Sequence, residues 1–110
     1  MEVFFATKEL AGRLSSERSR VREFGVEAAR RIDLRLQQLL GAPTLEHVRS
    51  LPGRCQELDA DLRGYLAIDV RRSLRLIFRA HASGRSKPHA AALDWATVDS
   101  IVITGISDYP

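Results

Sequence analysis

Between Arg63 and Lys87 the chain places seven cations, Arg63, Arg71, Arg72, Arg75, Arg79, Arg85 and Lys87, against one acid, Asp69. Guanidinium groups present paired N–H donors that match phosphate oxygens, and each contact releases counterions from a polyanion. The cluster therefore points to nucleic acid as the partner. Residues 1–62 are close to charge balance, so the net charge of +3 over 110 residues, built from 15 Arg and 2 Lys, is concentrated in this segment. Little else in the chain competes as chemistry. It has no glycine-rich phosphate-cradling motif, no HExxH and no CxxC. His47, His81 and His89 stand far apart and there is one cysteine, a poor ligand set, so neither a metal nor a cofactor is expected. Cys55 has no base beside it in sequence and reads as an inert, half-buried thiol.

The elements that must position these arginines follow from periodicity. Val3 to Ala6 is apolar and reads as a first strand, with Thr7 as a helix N-cap. Lys8 to about Arg22 favours helix, and Ser15 and Ser16 can divide it in two. After Gly25, Val26, Ala29, Ile32, Leu36 and Leu39 recur at spacings of 3, 3, 4 and 3, an apolar stripe on one helix face that ends at Gly41 and Pro43. Arg30, Arg31 and Arg35 fall on other faces and read as a solvated surface paired with Glu27 and Asp33. Thr44 to Val48 fits a single helical turn, and Leu51-Pro52-Gly53 breaks the chain.

The period then changes to two. Leu66, Ile68 and Val70 alternate with Tyr65, Ala67 and Asp69; Leu74, Leu76 and Phe78 alternate with Arg75, Ile77 and Arg79. These make an antiparallel hairpin turning near Arg71 to Ser73, with Arg75 and Arg79 on one face and the core residues on the other. His81 to Ala92 reads as a long loop, and Ser100 to Ile106 as a last strand. The predicted fold is α+β, a small antiparallel sheet in β-α-α-β-β-β order with two N-terminal helices packed on one face. The length suits one domain, residues 1–110. Apolar runs are far shorter than the ~20 residues of a membrane span, and the start of the chain lacks the pattern of an export signal. With the lone cysteine, this places the protein in the cytoplasm.

Five segments carry a family resemblance: Leu51-Pro52-Gly53-Arg54-Cys55-Gln56-Glu57-Leu58, Arg63-Gly64-Tyr65-Leu66, Leu74-Arg75-Leu76-Ile77-Phe78, Leu93-Asp94-Trp95 and Ser107-Asp108-Tyr109. In order and spacing they resemble the RelE/HigB toxins, specifically the plasmid maintenance system killer branch of the RelE/ParE superfamily. The resemblance implies the toxin half of a type II toxin–antitoxin pair, a ribosome-dependent mRNA endoribonuclease (mRNA interferase) needing no metal. It also implies a helix-turn-helix, HigA-like antitoxin and mRNA on the ribosome as partners.

RNA cleavage of this kind requires the 2′-hydroxyl to attack the adjacent phosphorus while phosphate charge is stabilised and protons move. Arg75 is similar to the family's phosphate-stabilising arginine; the structural alternative is a strand-face arginine paired with Asp69 or Asp108. Asp108 and Tyr109 match the first two positions of the family's terminal Asp-Tyr-His, which position or deprotonate the attacking nucleotide. Arg54, Arg63, Arg71, Arg72 and Arg79 are the expected RNA contacts. Two positions depart from the pattern. Leu58-Asp59-Ala60-Asp61 has an acid where the family commonly has lysine, and Pro110 replaces the terminal histidine. His81, His89 and Lys87 are the remaining groups able to move a proton, each otherwise a solvated loop residue. Two readings stay open: a weakened ribonuclease toxin, and a non-catalytic binding module, either an inactive toxin homologue or a ParE-like gyrase inhibitor.

Overall fold

Thr7 ends the first strand by capping the first helix. Its hydroxyl accepts from the Leu10 N–H at 3.0 Å while its backbone stays extended. The computed structural model describes residues 1–81 and 93–108. Strand β1 is Glu2–Phe5, followed by helices α1 (Lys8–Leu14), α2 (Glu17–Gly41) and α3 (Leu45–Val48), then strands β2 (Gln56–Glu57), β3 (Leu66–Arg71), β4 (Leu74–Ala80) and β5 (Ser100–Asp108). Short 3-10 turns lie at Ala60–Leu62 and Trp95–Thr97. The Ser15-Ser16 pair does divide the helical stretch: Ser15 closes α1, and the Ser16 hydroxyl accepts from the Ser19 N–H at 3.1 Å to open α2.

Gly25 interrupts α2 with φ 85° and ψ 164°, a conformation open essentially to glycine alone. Ala29, Ile32, Leu36 and Leu39 are buried as their spacing predicts, but Val26 is 61% exposed and Ala28 takes the inward place. At the other end of α2 the Met1 ammonium donates to the carbonyls of Leu40, at 2.9 Å, and Ala42, a cation at the negative end of the helix dipole.

The five strands form one sheet in the order β1-β5-β4-β3-β2. Two features differ from the expected topology. The pair β1–β5 is parallel, because β1 lies beside the last strand and runs in its direction; the other three pairings are antiparallel. A two-residue strand, β2, also borders β3, whereas α3 is the single helical turn expected after Thr44. Side-chain period fixes which face a residue occupies but carries no information about the neighbour's direction.

Helices α1, α2 and α3 cover one sheet face, where Leu10, Leu14, Ile32, Leu36, Leu39, Leu45 and Val48 meet Leu66, Ile68, Leu76, Phe78, Ile101 and Ile103. Burial of large apolar side chains on this scale, at ~1.5–3 kcal/mol each, holds β4 from behind and leaves its other face for Arg75 and Arg79. Among the described residues no helix is long and apolar enough to cross a membrane.

Replacing Gly25 by Ala should cost about 1–3 kcal/mol through backbone strain alone, since a Cβ there meets no atom within 4 Å. Gly12→Ala, inside α1 and equally uncrowded, should instead raise stability by up to about 1 kcal/mol. Urea denaturation of the two variants measures both effects.

Candidate nucleic-acid interface

The register of β4 builds the site. Arg75 lies directly across from Asp69 on β3 and from Ser107 on β5. Opposed residues of an antiparallel pair project to the same face, with Cβ atoms about 4.5–5.5 Å apart. Asp69, Arg75 and Ser107 therefore form one row on the face away from the helices. Four residues along β4, about 13 Å further, Arg79 lies across from Val102, which in turn neighbours Phe4. Buried Ile77, Ala67 and Val102 floor the space between the two arginines.

Arg54 joins this row from the connection before β2. Its backbone adopts φ 49°, and its guanidinium donates to Asp69 Oδ2 from Nε at 2.8 Å and from Nη2 at 2.6 Å. The carboxylate is mostly covered while the arginine side chain is largely exposed, so the pair lies at the margin of the face. Asp69 is thus one of the two acids named as structural partners of Arg75, and it faces Arg75 and holds Arg54 at once.

Asp108 does not join them. It pairs with Leu74, on the helix-covered side of the sheet. The register of β5 shifts between the partners of Ile77 and Phe78, which are Gly105 and Ile103. One extra residue, Thr104, enters the strand there. A bulge of one residue moves every following side chain to the opposite face, so Ser107 takes the place across from Arg75 that unbroken pairing would have given to Ile106, and Asp108, which unbroken alternation would have kept on the Arg75 face, turns to the other. Tyr109, Pro110, Arg85, Lys87, His89 and most of the expected loop lie outside the described residues.

His81 lies six residues from Arg75 along the direction of β4, about 20 Å away. Its N–H donates to the Ser100 carbonyl at 2.9 Å, and its ring stacks on Phe4 with centroids 4.6 Å apart. It belongs to the far end of the face and not to the Arg75 row. Asp59 is exposed and opens the Ala60–Leu62 turn, and Arg63 is an exposed residue closing it. Burial pushes the Cys55 thiol up to about 12, so a thiolate nucleophile is disfavoured. Among the described residues no three His, Cys, Asp or Glu side chains come together as metal ligands.

Trp95, one of the motif residues, is buried. Its indole N–H donates to Glu57 Oε2 at 2.9 Å, and the Arg49 guanidinium lies 4.0 Å from its ring centre. Its role is to fasten β2 to the turn preceding β5.

The remaining arginines converge at the hairpin end of the sheet. Arg31 and Arg35 from α2, Arg54, and Arg71 and Arg72 from the β3–β4 turn line an open cleft of about 490 Å³ with Asp69. Reading α2 as a solvated surface missed Arg35. That side chain is only partly exposed; its Nε donates to the Asp69 carbonyl at 2.6 Å and its Nη1 to Gln38 Oε1 at 3.0 Å. The available signal was the i,i+4 pair Arg31 and Arg35, two like charges one helical turn apart, with Glu27 at pairing distance from Arg31 alone and Asp33 two residues from each, off their shared face.

By sequence, no family model and no curated protein matches the chain. Solved structures do match, along the whole chain. The YoeB/ParE toxin from Agrobacterium tumefaciens superposes with a TM-score of 0.61 at 11% identity, covering 100% of both chains. The YoeB-YefM complex from Staphylococcus aureus gives 0.59 at 11% identity, covering 100% of this chain and 98% of that one. The YoeB dimer from the same organism gives 0.56 at 13% identity, over 100% and 97%. The chain therefore has the fold of these YoeB-type structures. The similarity is to structures of the YoeB/ParE type, and these neighbours do not single out the HigB subtype.

Two measurements test the local physics. A Cβ at Gly53 would lie 2.7 Å from Ile68 Cγ1 and 3.0 Å from Arg35 Nε, at a φ of +116°. Gly53→Ala should therefore lower stability by about 2–4 kcal/mol in chemical denaturation. Cys55 should resist a thiol reagent at pH 8 in the native protein and react readily in urea. Because the folded thiol keeps its proton to higher pH than the unfolded one, the native state binds more protons between about pH 9 and 12. The stability of wild type relative to Cys55→Ala should fall as pH rises through that window.

Proposed function

We propose that this chain, as a single domain over residues 1–110, is the toxin of a type II toxin–antitoxin pair. In this reading it stops translation in the cytoplasm as a metal-independent, ribosome-dependent mRNA endoribonuclease. The observation that carries the reading is the Arg75 row: an arginine projected from the sheet face away from the helices, within a toxin fold matched over its whole length. The Arg75 guanidinium donates to the non-bridging oxygens of the scissile phosphate as the 2′-oxygen forms its bond to phosphorus and the bond to the 5′-oxygen breaks. The proton leaves the 2′-hydroxyl and one returns to the 5′-oxygen, giving a 2′,3′-cyclic phosphate and a 5′-hydroxyl. Arg79, across from Val102, and Arg54, at the margin, hold flanking phosphates; Arg63, Arg71 and Arg72 extend the basic surface. Tyr109 stacks on a base or assists the attacking nucleotide, and Asp108 supports the strand end that carries it.

The partner is an antitoxin of the helix-turn-helix, HigA-like kind encoded by the adjacent gene, which silences the cationic face by covering it. A second reading, a non-catalytic toxin-like module or gyrase inhibitor, draws support from two observations: Asp108 pairs with Leu74, and Pro110 replaces the histidine of the resembling family.

Induced expression should arrest growth, with transcripts cut when purified ribosomes are supplied. Arg75→Ala should reduce cleavage by about 10²–10³-fold, the usual cost of removing one charge-stabilising donor. Cleavage indifferent to Arg75 would overturn the assignment of the site. Absence of cleavage at any ribosome concentration, persisting in Pro110→His, would favour the binding module.

A further inference from the structure

We infer that Arg31, Arg35, Arg54, Arg71 and Arg72 form a strand-holding site that takes the backbone phosphates of single-stranded RNA next to the Arg75 row. The inference deepens the proposed function and rests on it for the choice of RNA; it adds Arg31 and Arg35 and a defined cleft, and the charge and shape of that cleft hold whether or not the strand is cut.

Three observations carry it. First, the cleft is cationic well beyond its internal needs: five arginines line it and Asp69 is the single carboxylate among its lining residues. Asp69 is already held by Arg54. Arg31 has an exposed contact with Glu27 at 3.5 Å, a weak pairing. Arg71 and Arg72 are exposed and make no ion pair with the described residues.

Second, the repulsion is built in. Burial together with the neighbouring Arg31 charge pulls the Arg35 guanidinium below its ordinary range, the first cause being desolvation. Its orientation is nevertheless fixed by the Asp69 carbonyl and Gln38. A group kept in place against its own electrostatics is relieved by an incoming anion.

Third, the lining selects among anions. Apart from Gly53 and the buried Val70 it is polar. An acidic protein segment would need an apolar anchor at its centre for stable docking, and the cleft offers none. Repeated phosphates need only forked donors. Asp69 both lines the cleft and faces Arg75 across the β3–β4 pair, so a strand lying on the Arg75 row reaches the cleft without leaving the protein surface.

The test uses the full chain and a 2′-O-methyl RNA oligonucleotide, which cannot be cut, so binding is read apart from cleavage. Arg71→Gln with Arg72→Gln should weaken binding at least tenfold at low salt, to a similar degree for oligonucleotides of different sequence. The slope of log K against log[salt] should shrink by about 1.4, at ~0.7 per lost phosphate contact on a single strand. Arg30→Gln, an exposed arginine of α2 outside the cleft, should leave both nearly unchanged. Unaltered affinity and slope in the double variant would overturn the inference. So would tight binding of a poly-glutamate peptide that depends on Arg71 and Arg72 while RNA binding does not. If cleavage fails with every RNA and the salt slope still depends on the pair, the ribonuclease reading falls and the cleft stands.

Discussion

Asp69 is fixed at three points, and the basic surface is organised around it. Its N–H donates to the Gly53 carbonyl at 2.7 Å, its carbonyl accepts from Arg35 at 2.6 Å, and its carboxylate holds Arg54 at 2.6 Å. These contacts tie the edge of β3 to the chain before β2 and to helix α2. They also place a negative charge directly across from Arg75. A buried backbone group must find a partner, and here one of those partners is a cation that lines the adjoining cleft. Backbone satisfaction and the arrangement of charge are therefore one constraint, and Gly53 meets it by leaving out the Cβ that would strike both Ile68 and Arg35.

From that point the two sides of the sheet divide the work. Leu74, Leu76 and Phe78 are almost fully buried against the helices, which fixes β4 firmly enough for alternate residues to present charge at set intervals. Rigid elements hold functional side chains more closely than loops do. Arg75 and Arg79 gain their alignment from the core behind them.

Much of this was legible in the sequence because it is written in local patterns. The alternation of β4, the cap at Thr7, the division at Ser15 and Ser16, and the break at Gly25 each depend on a few adjacent residues, and each stands where the pattern placed it. What was illegible depends on residues far apart or on single-residue slips. The inward face of α2 starts at Ala28, four residues before Ile32, and leaves Val26 exposed, and Asp108 leaves the face of Arg75 because one extra residue, Thr104, enters β5. Neither leaves a mark in composition. Arg35 looked like one more solvated helix charge because its partner is a backbone carbonyl 34 residues away. Resemblance named motif residues without their roles: Trp95 and Glu57 hold β2 to the turn before β5.

The parallel pairing of β1 with β5 joins Glu2 to Ser100 and Phe5 to Ile103, nearly the full span of the chain. Closing such a loop carries a large entropic cost that nothing local offsets, and contacts of this separation slow folding. On a ribosome the β1 strand waits without a partner until residues 100–103 have been made. The hairpin bearing Arg75 is local and can assemble sooner, but its β5 side is completed only at that last step. The sheet face is therefore a late product of folding, and a nascent chain cannot display it in finished form.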